Sequence, residues 1–90
     1  MKRVKIKVIG QVQGVNFRYF IFQKARELSL VGWVKNLSDG SVEVLAEGEK
    51  VVLEALVEHA QNGPVDAKVD SVETIWENAT GEYSSFSIPT

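Results

Sequence analysis

The chain opens on an alternation: Arg3, Lys5 and Lys7 fall on one side of residues 2–9 and Val4, Ile6 and Val8 on the other. This is the pattern of a strand with one buried face. The stretch Gly10-Gln11-Val12-Gln13-Gly14 breaks it, its glycines supplying loop dihedrals. From Asn16 or Phe17 the period lengthens. Phe17, Phe20, Ile21, Lys24/Ala25 and Leu28 recur at helical spacing and predict a helix over 17–29. Val31 to Lys35 reads as a second strand, and Ser38-Asp39-Gly40-Ser41 as a tight turn with the Asp-Gly hairpin signal. In the third strand Val42, Val44 and Ala46 share one face and Glu43 and Glu47 lie on the other, with Leu45 between them, until Gly48 ends it. Val52, Leu53, Leu56, Val57 and Ala60 mark a second amphipathic helix over about 50–61, stopped by Asn62-Gly63-Pro64. Residues 68–77 are rich in β-formers but alternate poorly, which predicts a strand with a bulge or one at a sheet edge. Asn78 to Gly81 reads as a turn and Tyr83 to Ile88 as a short last strand, with Phe86 and Ile88 pointing inward.

The element order is therefore β-α-β-β-α-β plus a short C-terminal strand. This is the split β-α-β pattern of an α+β, ferredoxin-like sandwich, an antiparallel sheet with two helices on one face. The chain has 90 residues, of which 44% are hydrophobic and 24% charged, enough for one domain with one core. RNA-binding domains, small-molecule regulatory domains and metallochaperones share this architecture, so a site has to decide the function.

Composition narrows the chemistry. There is no cysteine, which removes disulfides, cysteine-ligated zinc, iron–sulfur clusters and a thiolate nucleophile. A single histidine, His59, argues against a histidine-rich metal site. No apolar run approaches the roughly 20 residues of a membrane span. The basic start Met1-Lys2-Arg3-Val4-Lys5 leads into an alternating segment and not an apolar signal core, so no targeting peptide is read. A cytoplasmic location and a monomeric state are the expectations. The net charge of −2 is divided unevenly: residues 1–35 carry eight bases and one acid, a charge of +7, and residues 36–90 two bases and eleven acids, a charge of −9. A site built by the first third would attract an anion, although strand lysines are ordinarily a solvated face.

The stretch from Gly10 to Arg18 carries the chemistry. A glycine-flanked loop runs straight into a helix N-terminus, with an arginine in the first turn. Successive N–H groups in such a loop can converge on an anion. The first helical N–H groups lack partners, and the helix dipole favours negative charge there. Arg18 adds a planar fork that matches phosphate oxygens. The pattern fits either a pocket for one small tetrahedral anion or a plain β-α turn with an exposed arginine.

Gly10-x-Val12-Gln13-Gly14-Val15-x-Phe17-Arg18, then Gly32-Trp33-Val34-Lys35-Asn36 and Asp39-Gly40-Ser41-Val42-Glu43, resembles the acylphosphatase family along the whole chain, to the Phe86-x-Ile88 ending. The resemblance implies one acylphosphatase-like domain over residues 1–90 and hydrolysis of a carboxyl-phosphate bond to a carboxylate and inorganic phosphate. It implies that the backbone N–H groups of Gln13, Gly14, Val15, Asn16, Phe17 and Arg18 bind the phosphoryl group. The Arg18 side chain would hold that group, and Asn36 would position the attacking water. Asn16 falls at a variable motif position, so its backbone alone is inferred. The family often has threonine after the asparagine; here it is Leu37, and any help from that hydroxyl is absent.

The rest of the sequence agrees with that chemistry. No Walker loop or magnesium-type carboxylate cluster is read, and no metal or cofactor is expected. A cradle with an arginine and an amide, but no evident acid, base or nucleophile, suits a leaving group that departs unprotonated. A carboxylate does so near pH 7, since carboxyl pKa values lie at about 4. Inorganic phosphate, the product, would compete with substrate. The other reading is a non-catalytic module that holds phosphate or carbamoyl phosphate, as acylphosphatase-like domains also occur within larger hydrogenase-maturation proteins. RNA binding is disfavoured, because the first strand offers cations or aliphatics and the third glutamates, not a stacking platform. Phe17, Phe20 and Phe22 are expected in the core or covering the helix, Trp33 and Trp76 in packing, and His59 in solvent.

Overall fold

A computed structural model describes residues 1–89. The elements run β1 (Lys2–Gln11), α1 (Phe17–Glu27), β2 (Val31–Asn36), β3 (Val42–Gly48), α2 (Lys50–Asn62), β4 (Lys68–Asn78) and β5 (Phe86–Ser87). The sheet order is β4-β1-β3-β2-β5. One face of it is covered by Val4, Ile6 and Val8 of β1, Val34 of β2, and Val42, Val44 and Ala46 of β3. Phe17, Ile21 and Ala25 of α1 and Leu53, Leu56 and Ala60 of α2 close over them as one apolar cluster. Apart from Val34, whose face the sequence left unassigned, each of these side chains matches the period that predicted it, two in the strands and 3.6 in the helices.

The departures from the sequence reading have local causes. β1 runs two residues further than the break at Gly10 suggested, because β4 accommodates it with a bulge. Ile9 pairs with Ser71 and Gly10 with Val69, leaving Asp70 over. At Gly10 (φ +144°) a Cβ would lie 2.1 Å from the Lys68 carbonyl oxygen, so only glycine lets the strands meet there. β4 is thus both bulged and at the sheet edge. α1 stops at Glu27 and not at 29. Ser29 turns left-handed (φ 57°), and the N–H of Leu30 reaches back to Ala25 O at 2.9 Å, closing the helix C-terminus.

The last strand shrinks from Tyr83–Ile88 to Phe86–Ser87, and it runs parallel to β2, so the sheet is mixed and not wholly antiparallel. The segment before it crosses the outer face of the sheet. There the N–H groups of Thr80 and Gly81 donate to the Glu47 carboxylate at 3.0 and 3.1 Å, and Trp33 Nε1–H meets the Tyr83 hydroxyl at 3.3 Å. That cover buries Glu47 and Leu45 (3% and 4% exposed), which the alternation had placed on an open face. Two aromatic expectations also change. His59 is half-buried, edge-on to Phe20 at 6.4 Å, while Trp76 is exposed with Lys50 across its ring at 6.0 Å.

Candidate active site

Between β1 and α1 the chain must turn within Val12–Asn16. Val12 and Phe17 are buried at the two ends of that turn and anchor it to the core. Gly14 (φ +75°) and Asn16 (φ +67°) take left-handed conformations, tolerated by glycine and, among other residues, best by asparagine and aspartate. Alternating right- and left-handed residues turn successive N–H groups to one side. Asn16 caps α1 without a side-chain hydrogen bond. The first N–H after the loop to find a backbone acceptor is that of Phe20, on Asn16 O at 3.1 Å. Among the described residues no N–H from Gln13 to Tyr19 donates to another group. A row of free donors therefore lies at the positive end of the helix dipole. Arg18, half-buried in the first turn, has no carboxylate within 4.0 Å among the described residues.

The opposite wall is the end of β2. Asn36 shares the helix-facing side of that strand with Val34 and pairs with Val42 across the hairpin. Its Oδ1 is buried without a hydrogen-bond partner among the described residues. Leaving such an acceptor unpaired costs about 1–3 kcal/mol, so the fold tolerates it only where something else is to meet it. The hairpin beyond is braced by its own hydrogen bonds. Leu37 N–H donates to Ser41 O at 2.8 Å and Gly40 N–H to Leu37 O at 3.2 Å. Asp39 accepts from the Ser41 hydroxyl, from the Ser41 N–H at 3.0 Å and from Lys7 at 3.0 Å. The Ser41 hydroxyl foremost, then its N–H and the Lys7 ammonium, hold the Asp39 carboxyl well below the usual carboxylate range. Gln13 joins the two walls, its Nε2 donating to Leu37 O at 2.7 Å and Ser41 O at 2.9 Å.

These walls enclose a cavity of about 350 Å³. Of the residues singled out in the sequence, Gly14, Asn16, Phe17, Arg18 and Asn36 line it; Val12, Tyr19 and Ile88, which had no site role assigned from the sequence, line it as well. Gln13 and Val15 do not line it; the Gln13 side chain is committed to the hairpin and Val15 packs on the core. Tyr19 had a signal in the sequence, as the neighbour of Arg18 in the first turn. Ile88 had none, because it arrives through the pairing of β5 with β2. A second cavity, of about 550 Å³, shares Arg18 and Asn36 and is otherwise lined by Trp33, Lys35 and Pro89.

Comparison with known proteins gives a consistent result. A family model described as acylphosphatase matches residues 4–88. An acylphosphatase of Salinibacter ruber is 44% identical over 97% of this chain and 92% of its own length. The crystal structure of the acylphosphatase from Bacillus subtilis superposes with a TM-score of 0.96 at 41% identity, covering 100% of both chains. The acylphosphatase structure from Coxiella burnetii superposes with a TM-score of 0.90 at 42% identity, covering 98% of this chain and 92% of that one.

Proposed function

The chain belongs to the acylphosphatase family, enzymes that hydrolyse small acyl phosphates, and from that premise we propose that water held by Asn36 attacks a phosphoryl group held by Arg18 and the Gln13–Arg18 loop. The observation that carries this reading is that Asn36, whose Oδ1 is buried without a partner among the described residues, lines one cavity together with Gly14, Asn16, Phe17 and Arg18 of the loop with free donors. The loop N–H groups and the Arg18 fork meet the phosphoryl oxygens. A side-chain amide both accepts and donates, so Asn36 can orient a water. The water oxygen forms the new bond to phosphorus as the bond to the carboxylate oxygen breaks. The electron pair leaves with the carboxylate, and the water's proton passes to a phosphoryl oxygen.

Phosphoryl transfer of this kind needs positioning and charge stabilisation more than covalent help. Donors fixed before the reaction supply both without reorganising. The leaving carboxylate needs no acid near pH 7, which fits a site whose lining, among the described residues, holds no carboxylate side chain or histidine. The whole chain acts as one domain and as a monomer, with inorganic phosphate as product and competitive inhibitor. Among the described residues no three His, Cys, Asp or Glu side chains gather as metal ligands, and none of the helices is long and apolar enough to cross a membrane. A binding module without turnover is the weaker reading, since the relatives it matches over nearly their full length are named as acylphosphatases.

Hydrolysis in heavy-oxygen water tests the route. Direct attack on phosphorus puts the label in phosphate and none in the carboxylate. Label in the carboxylate would mean attack at the acyl carbon and would overturn the roles given to Arg18 and Asn36. In the same assay, alkyl phosphomonoesters should persist and a chelator should leave the rate unchanged.

A further inference from the structure

We propose that the second cavity, lined by Trp33, Lys35 and Pro89, receives the acyl part of the substrate and selects acyl chains that carry a second negative charge. This rests on the reading above, because the cavity opens from the same Arg18 and Asn36 that line the phosphoryl pocket. An acyl phosphate has a bent C–O–P linkage, so its acyl chain can turn off the line of attack and lie along the edge of β2.

The chemistry of that edge is particular. Trp33 is fixed by its Nε1–H on the Tyr83 hydroxyl at 3.3 Å. Lys35 stands opposite Glu43 in the strand register, yet it makes no ion pair within 4.0 Å among the described residues. Its ammonium lies instead 4.7 Å from the centre of the Trp33 ring, where the ring face attracts a cation. Lys5 and Lys7, on the same outer face of the sheet, both lie within 4.0 Å of carboxylates, at 3.9 and 3.0 Å. Lys35 is thus a cation lining the cavity with its charge unmatched among the described residues, beside an apolar ring that suits a short methylene chain. A carboxylate at the far end of a short acyl chain meets both.

The probes are ketophosphonate analogues of butyryl phosphate and of succinyl phosphate, in which a methylene replaces the bridging oxygen. Each is measured as a competitive inhibitor of acetyl phosphate hydrolysis, with inorganic phosphate as the reference for the phosphoryl pocket. The parent should bind the succinyl analogue, which keeps one free carboxylate, about fivefold more tightly than the butyryl analogue, which has none, the scale of a solvent-accessible ion pair. Lys35→Gln should bring the ratio of the two constants to about one. Lys2→Gln, an equal charge change at the far end of β1, should leave it as in the parent. Taking the ratio within each protein cancels any shift in the phosphoryl pocket. Equal binding of the two analogues by the parent, or an undiminished preference in Lys35→Gln, overturns the proposal while phosphate inhibition leaves the main reading standing. Failure of phosphate itself to compete would overturn both.

Discussion

The outer face of the sheet and the loop at the end of β1 hold similar side chains to opposite effect. On the outer face the cations of β1 are matched. Arg3 meets Glu47 and Glu82 at 2.8 Å each, Lys7 meets Asp39 at 3.0 Å and Lys5 meets Glu77 at 3.9 Å. Burial alone would push the Glu47 carboxyl up. The Thr80 N–H, the Arg3 guanidinium and the Gly81 N–H outweigh it and hold that carboxyl below its ordinary range. At the loop, Arg18, a row of backbone donors and the Asn36 acceptor are all left without partners among the described residues. A face that satisfies its charges internally contributes to stability, and one that leaves them pre-oriented is ready to bind. The uneven charge along the sequence is largely cancelled in space, because the basic first strand lies between two acidic ones. What remains for an anion is local to the loop.

The largest effect that sharpens this contrast is at Arg18. Arg18→Ala should lower kcat/KM for an acyl phosphate by about 10³-fold or more, the scale of losing an arginine from a phosphoryl-transfer site. It should also weaken inhibition by phosphate. Arg18→Lys keeps the charge without the fork and should not restore the rate. Near-parent kinetics in Arg18→Ala would dissolve the contrast.

Glu47 tests the other region. Glu47→Ala should destabilise the fold by about 2 kcal/mol, below the range for wholly interior pairs because Arg3 keeps Glu82. For a domain of this size that is about 8–16 °C in Tm. The pKa of Glu47 is lowered in the folded state, so its contribution is complete above the ordinary glutamate range and is lost as pH falls through the lowered value. Thermal melts of parent and variant should therefore converge in acid. kcat measured well below Tm should hardly change.

A smaller effect is expected where the regions join. Gln13→Glu keeps the length of the side chain but loses the donor to Leu37 O and Ser41 O. It should lower kcat/KM by about tenfold through misplacement of the loop against Asn36. An unchanged rate would show that the loop holds its shape without the clamp. The smallest effect is at Lys5. Raising salt should lower kcat/KM modestly, as the Debye length falls to about 10 Å at 0.1 M. Lys5→Gln should show the parent's salt slope, because its charge is matched on the far face. A clearly flatter slope would give the strand a steering role.

How much of this the sequence carried depends on the range of the contacts. The alternation of Val4, Ile6 and Val8 and the helical spacing of Phe17, Ile21 and Ala25 set which faces are buried, and the structure follows them. The loop and its arginine were legible because a nest and a helix N-terminus are local features. The sealing of Glu47 was not, since it requires a segment more than thirty residues away to cross the sheet. The same holds for Ile88 and Pro89, which reach the cavities only by the parallel pairing of β5 with β2. The sequence marks Gln13 only as part of the phosphate-binding backbone. Its side-chain clamp depends on where the hairpin sits, which no local pattern fixes.

Asn36→Ala tests the central claim most directly, through three quantities from one preparation: kcat, the inhibition constant of phosphate, and Tm. Positioning of the attacking water predicts a fall in kcat of about 10²–10³-fold, by analogy with the loss of one preorganised donor. Phosphate inhibition should stay close to the parent's. Tm should be unchanged or higher, because the substitution removes a buried acceptor that has no partner in the protein. An intact kcat with weakened phosphate inhibition would make Asn36 a substrate ligand. A large fall in Tm would make it a structural support of the hairpin. Either result would contradict the account.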